Sequence, residues 1–288
     1  MRVFYMTDMH LDYRIAEALD GCKPKDASGI AGRIIVKYAD LMFQGRKFTK
    51  DDVLLLGGDV SPWKKVNEWF YTLTAQRFPG HIIAVLGNHD IWGFETLCFE
   101  ATAYPVDKVI AEQVKCAECE QILKAKGDFV LLQNEIAFLP EGGRYLNVLS
   151  EDTVCEDSED ELLEQVGNSP FIVVGGLGFP GYNARFNASN GIYKNTLRSF
   201  RGDRILSDAF YEVYRKAASA LPDRPVICLT HNPMTDWTNK ASFLPDWYYV
   251  SGHTHKNVRD DKKGYRHYAD RQVGYTGWNI GMKMFEIE

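Results

Sequence analysis

One pattern constrains this chain more than any other: a short apolar run that ends in a polar segment, found at five places. Its clearest instance is His81-Ile82-Ile83-Ala84-Val85-Leu86 followed by Gly87-Asn88-His89-Asp90. A run of that length and composition reads as a buried strand. The glycine after it reads as a tight turn that presents Asn, His and Asp at the strand's carboxyl end. Open α/β sheets bind their ligands at that end. The same arrangement gives Asp8-x-His10 after residues 2–6, and Gly57-Gly58-Asp59 after 53–56. Thr230-His231-Asn232 follows 225–229, and Gly252-His253-Thr254-His255 follows 247–250. If these runs are strands of one fold, their loops meet in one place.

The segments between them support an α/β class. Residues 28–43 carry the apolar spacing of a helix, and Pro62 suits the first position of another, ending near Arg77. The first 90 residues thus read βαβαβ, which implies a parallel sheet with helices packed on it. A helix is expected over 106–126, and strands over 129–132, 136–139 and 145–149. Residues 150–169 are acidic and read as a solvated loop or short helix. A strand over 171–174 precedes residues 179–205, which show no strong apolar period. A helix over 207–221, capped by Ser207 or Asp208, and strands over 273–276 and 282–287 complete the expectation. With no internal repeat or linker, residues 1–288 are expected to form a single domain with a variable insertion around 95–170.

The donor types point to a metal. The chain has seven histidines, and five of them, His10, His89, His231, His253 and His255, lie in the polar segments. Imidazole mixed with Asp8, Asp59 and Asn88, and with no cysteine, suits a catalytic first-row ion better than a structural zinc. Asp8, His10, Asp59, Asn88, His231, His253 and His255 are also too many donors for one catalytic ion, which typically takes about three from the protein. Two ions about 3.5–4 Å apart, bridged by a carboxylate, match the number. Such a pair stabilises both the attacking and the leaving oxygens of an in-line displacement, the demand set by phosphate ester hydrolysis. Iron, manganese, zinc and nickel are all compatible with these donors.

In their order along the chain, Asp8-x-His10, Gly58-Asp59, Gly87-Asn88-His89-Asp90, His231 and Gly252-His253-x-His255 resemble the calcineurin-like metallophosphoesterase superfamily. The resemblance spans residues 8–255 and rests on the five motifs together. It implies a four-layer αββα sandwich, two mixed β-sheets flanked by helices, with the site at their edge. It also implies roles: Asp8, His10 and His255 on the first metal, Asn88, His231 and His253 on the second, and Asp59 bridging both. His89 would bind a phosphoryl oxygen and protonate the leaving group, and a metal-bridging hydroxide would be the nucleophile. Two departures separate the chain from the Ser/Thr protein phosphatases of that superfamily. Val60-Ser61-Pro62-Trp63 stands where they carry Asp-Arg-Gly, and Asp90 stands where they carry Glu. The pattern is nearer the bacterial and phage-type phosphoesterases, whose substrates vary widely.

Substrate recognition falls to other residues. The stretch 179–205 holds five basic residues against the single acidic Asp203. Arg185, Arg198 or Arg201 would clamp a phosphate bidentately, and Tyr182 would stack on a base. Arg14 is a further candidate cation, and Trp63, Trp92 and Phe94 are candidate pocket walls. The expected partner is a phosphate-ester small molecule or nucleotide, as monoester or diester. A net charge of −6 disfavours broad nucleic-acid binding, which leaves a metal-dependent nuclease as the alternative enzyme and a non-catalytic scaffold as the alternative class. No apolar run approaches the roughly 18 residues of a membrane span, and the first apolar stretch is too short for a signal peptide, so a cytoplasmic protein is expected. The six cysteines imply no disulfide framework. Cys116 and Cys119 lack a second such pair and read as ordinary thiols.

Overall fold

The structure is a computed structural model and describes residues 1–21, 23, 26–94, 122, 128–190, 199–260, 266–269 and 277–287. Outside the described residues lie Arg198, Cys22, Cys98, Cys116 and Cys119, the side chains of Trp92 and Phe94, the strand expected over 273–276, and most of the helix expected over 106–126.

The described strands form two sheets. In the first, β1 (Arg2–Met6), β2 (Val53–Leu56), β3 (His81–Val85) and β4 (Phe129–Leu132) run parallel. The antiparallel β12 (Lys283–Glu286) closes the β1 edge. In the second sheet, β7 (Ile172–Gly176), β8 (Val226–Thr230), β9 (Tyr248–Ser251) and β11 (Arg266–Ala269) run parallel. The strands β5 (Glu135–Phe138), β6 (Asn147–Leu149) and β10 (Val258–Asp260) add antiparallel edges.

The layers follow from the two-residue period of strand side chains. Val3, Tyr5, Val53, Leu55, Ile83 and Val85 face Val173, Ile227, Leu229 and Val250 across the sheet-to-sheet core. Their neighbours Phe4, Met6, Leu54, Leu56 and Ile82 turn outward, against α1 (Leu11–Leu19), α2 (Ala27–Phe43) and α3 (Lys64–Arg77). Ile172, Val174, Val226 and Cys228 pack outward on α4 (Glu151–Glu156), α5 (Glu159–Val166) and α6 (Phe200–Ala220). The order is therefore helix, sheet, sheet, helix, an α/β fold with two mixed sheets. Strands buried on both faces need a continuous apolar sequence, which is why the runs of β2, β3, β7 and β8 stand out.

Several elements differ from the sequence expectation. The polar segment after β1 runs straight into the helix α1 at Leu11, an element that was not expected. Helix α3 begins at Lys64, two residues beyond Pro62. The acidic stretch is two short helices, α4 capped by Ser150 and α5 by a capping box between Ser158 and Glu161. Helix α6 starts at Phe200 with Ser199 as its cap, not at Ser207. Its inward face opens with Asp203 and Ser207, while Phe200 and Ile205 are exposed, so the apolar period fails over the first two turns. Strands β10 and β11 were not expected.

Candidate metal centre

Asp8 and His10 follow β1, Asp59 follows β2, Asn88 to Asp90 follow β3, His231 follows β8, and His253 and His255 follow β9. These strands are adjacent within their sheets and parallel, so all seven candidate ligands leave from the same edge of the sandwich. The loops are zipped to one another by backbone hydrogen bonds. Asp8 N donates to Gly58 O at 3.0 Å, His10 N to Asp59 O at 2.8 Å, and Gly252 N to His231 O at 2.9 Å. Asp8, His10, Asp59, His253 and His255 all have positive φ, between 46° and 62°. Left-handed backbone at non-glycine residues costs on the order of 1–3 kcal/mol each and gathers at functional sites. Asn134 is the remaining such residue among those described.

Asp90 holds this geometry together. One carboxylate oxygen accepts from Gly87 N at 2.7 Å and Asp59 N at 2.9 Å, the other from Val60 N at 2.9 Å and Ser61 N at 3.0 Å. A side chain at Gly87 would collide with Asp59, so the glycine is a steric requirement of the β2 and β3 loops. In the sequence Asp90 stood out as part of the Gly87–Asp90 segment and as a departure from the phosphatase motif, with no sign of this anchoring role.

Two groups of donors assemble. His255 Nε2 lies 3.1 Å from His10 Nε2 and 3.3 Å from Asp8 Oδ1. Asn88 Oδ1 lies 3.0 Å from His231 Nε2 and 2.9 Å from His253 Nδ1. Between them sits Asp59, whose Oδ2 is 3.8 Å from His10 Nε2 and 3.4 Å from His231 Nε2. Its other oxygen accepts from His89 N at 2.7 Å. His231 Nδ1 contacts Gly57 O at 2.8 Å; donating there leaves Nε2 as the lone-pair nitrogen facing the site. The ring of His89 stands edge-on to His10, centroids 4.6 Å apart.

Burial sets the charge states. It pushes His10 down to about 2 and His89 down to about 3, and it lowers His231 as well. Neutral imidazole is the form that ligates a metal. Burial and then the charges of Asp8 and Asp90 push Asp59 well above the carboxylate range. Burial also pushes Asp8 upward, but the hydrogen bond with His255 and the charges of His231 and His255 bring it below that range. Two carboxylates buried together favour a cation between them.

The donor set fits metal ions. An ion with ligand bonds of about 2.0–2.2 Å holds tetrahedral ligands roughly 3.3–3.6 Å apart, close to the 2.9–3.4 Å spacings within these groups. Asp8, His10 and His255 offer one converging set and Asp8, Asp59 and His231 another.

The expected substrate residues divide. Arg185 is exposed, with its guanidinium 5.2 Å from the ring of Phe186, and that ring stands edge-on to His253 at 4.4 Å. Arg185 is thus two contacts from a candidate ligand, and Phe186 is a neighbour of the site that no motif in the sequence marks. Tyr182 donates its hydroxyl to Asp208 at 2.6 Å, and the Arg204 guanidinium covers one face of its ring at 3.5 Å. Arg201 is exposed on the first turn of α6. Arg14 is buried and donates to the carbonyls of Met9, His10 and Gly277, which makes it a structural clamp on the β1 loop. Trp63 is part-exposed beyond the Asp59 loop.

The structure is similar to the crystal structure of phosphopantetheinyl hydrolase from Mycobacterium tuberculosis, with a TM-score of 0.50 over 95% of this chain and 89% of that one, at 14% identity. At that identity the likeness speaks to the fold. No curated protein matches the chain. The sequence profile of the calcineurin-like phosphoesterases matches residues 1–257. The chain therefore belongs to the calcineurin-like phosphoesterase family.

Proposed function

We propose that this chain is a dinuclear metal-dependent hydrolase of a phosphomonoester or phosphodiester. The observation that carries the reading is Asp59, whose carboxylate lies between the group of Asp8, His10 and His255 and the group of Asn88, His231 and His253. In this reading each group would hold one ion, and Asp59 would serve both. Bound there, manganese, iron, zinc or nickel would supply Lewis-acid activation of water and of the phosphoryl oxygens.

The chain's own residues do the rest. Asp59 Oδ1 fixes the backbone of His89, and His10 packs on its ring, so the imidazole is held rather than free to swing. Near pH 7 the substrate-free His89 is neutral, with one N–H to donate to a phosphoryl oxygen. The negative charge of a bound phosphate beside it favours the protonated ring, which then serves the leaving oxygen as general acid. Arg185, backed by Phe186, supplies a cation at the rim for a phosphate or a second anionic group, with Tyr182 three residues before it and Arg198 later in the same stretch. A small phosphate ester or a nucleotide suits this set.

The test uses chelator-stripped protein with each metal added back, an aryl phosphate monoester and the matching bis-aryl diester. Metal-dependent turnover is expected, with His89→Ala slower by about 10²–10⁴-fold while its bound metal stays the same. Full activity in His89→Ala, or no metal-dependent turnover of these esters and of nucleotides, would overturn the reading.

A further inference from the structure

Asp8, His10, Asp59, Asn88, His89 and His231 are all buried, with exposures of 6% or less. Tyr13 is different: it is 38% exposed, yet its ring centroid lies 5.8 Å from that of His10 and 6.0 Å from that of His89. A large, partly exposed aromatic ring thus packs against both buried imidazoles. Its position is rigid. Tyr13 sits on α1, whose neighbouring residues Leu11, Arg14 and Ile15 are buried, and whose start is tied to the loop after β2 by Leu11 N donating to Val60 O at 2.9 Å. Arg14, the next residue, binds the carbonyls of Met9 and His10. A side chain carried by a helix pinned at that many points is a preorganised surface.

We propose that Tyr13 is a specificity-determining wall for the leaving group, and that it favours phosphoesters whose leaving group carries a planar ring. This rests on the phosphoesterase reading, in which His89 faces the leaving oxygen; the ring beside His89 then lies along the path on which the leaving group exits. An aromatic face binds planar groups by stacking and gives little to a small alkyl group of the same charge. The phosphoryl contacts are common to both kinds of ester, so Tyr13 alters the ratio between them.

The experiment uses manganese-loaded full-length chain, as wild type, Tyr13→Phe and Tyr13→Ala. Affinity for phenylphosphonate and methylphosphonate is measured by calorimetry, and kcat/KM for phenyl phosphate and methyl phosphate by phosphate release. In wild type the phenyl compounds are preferred. Tyr13→Ala lowers that preference by roughly 5–100-fold in both measurements, and Tyr13→Phe restores most of it. Metal content and thermal midpoint, measured alongside, establish that each variant is folded and loaded. A phenyl-to-methyl ratio that is the same in Tyr13→Ala and wild type, with hydrolysis intact, overturns the wall alone. If neither monoester is hydrolysed, the same ratio is read on diphenyl and dimethyl phosphate; no hydrolysis of either pair, nor of nucleotides, overturns the phosphoesterase reading, and the leaving-group assignment with it.

Discussion

Backbone N–H groups of Gly87, Asp59, Val60 and Ser61 converge on the carboxylate of Asp90, and through them one side chain sets the relative position of the β2 and β3 loops. Burial pushes that carboxyl up to about 7, against the pull of the four donors. Asp90→Asn keeps the size but turns an NH₂ toward one pair of N–H groups. The expected cost is about 2–4 kcal/mol in denaturant unfolding, from lost charge-assisted bonds and stranded donors. A change below about 0.5 kcal/mol would show that the loops are held by something else. The candidate ligands were legible in the sequence because donor type and position after an apolar run are both written locally. Asp90, Arg14 and Phe186 were not, because their roles depend on partners brought near only by folding: Val60 and Ser61 for Asp90, Gly277 for Arg14, and His253 for Phe186.

At the scale of elements, α6 shows where periodicity misleads. Ser207 reads as a cap, yet it lies mid-helix and buried. Its hydroxyl donates to Phe179 O and accepts from Gly181 N at 2.9 Å, which pins the segment after β7 to the helix. The same segment continues to Arg185 and Phe186 at the rim. Gly181 N also donates to Phe179 O at 2.9 Å, so Ser207→Ala removes the two hydroxyl bonds without stranding either backbone group; it is expected to cost about 0.5–1.5 kcal/mol and to speed amide exchange at Gly181. Exchange at Gly181 as slow as in wild type would contradict the pin. The strands were legible because burial on both faces demands unbroken apolar sequence. The start of α6 was not, because its first two inward turns bury a carboxylate and a hydroxyl in place of apolar groups. Likewise α1 hides behind the polar loop that it follows, its left-handed His10 lying one residue before the helix.

At the scale of the molecule, the two sheets place five loops of distant sequence on one edge, and the sheet-to-sheet core keeps them in register. The βαβαβ order of the first 90 residues made the first sheet legible, and the resemblance carried by the motifs supplied the second. Among the described residues no helix is long and apolar enough to cross a membrane. In the proposed reading the buried imidazoles are neutral ligands, and two ions would compensate the buried carboxylates. The most direct test is metal stoichiometry: equilibrium dialysis of chelator-stripped protein against manganese, followed by metal analysis of the protein and buffer compartments. Two ions per chain is the predicted result, and saturation at one ion, or none, would contradict the two-metal account.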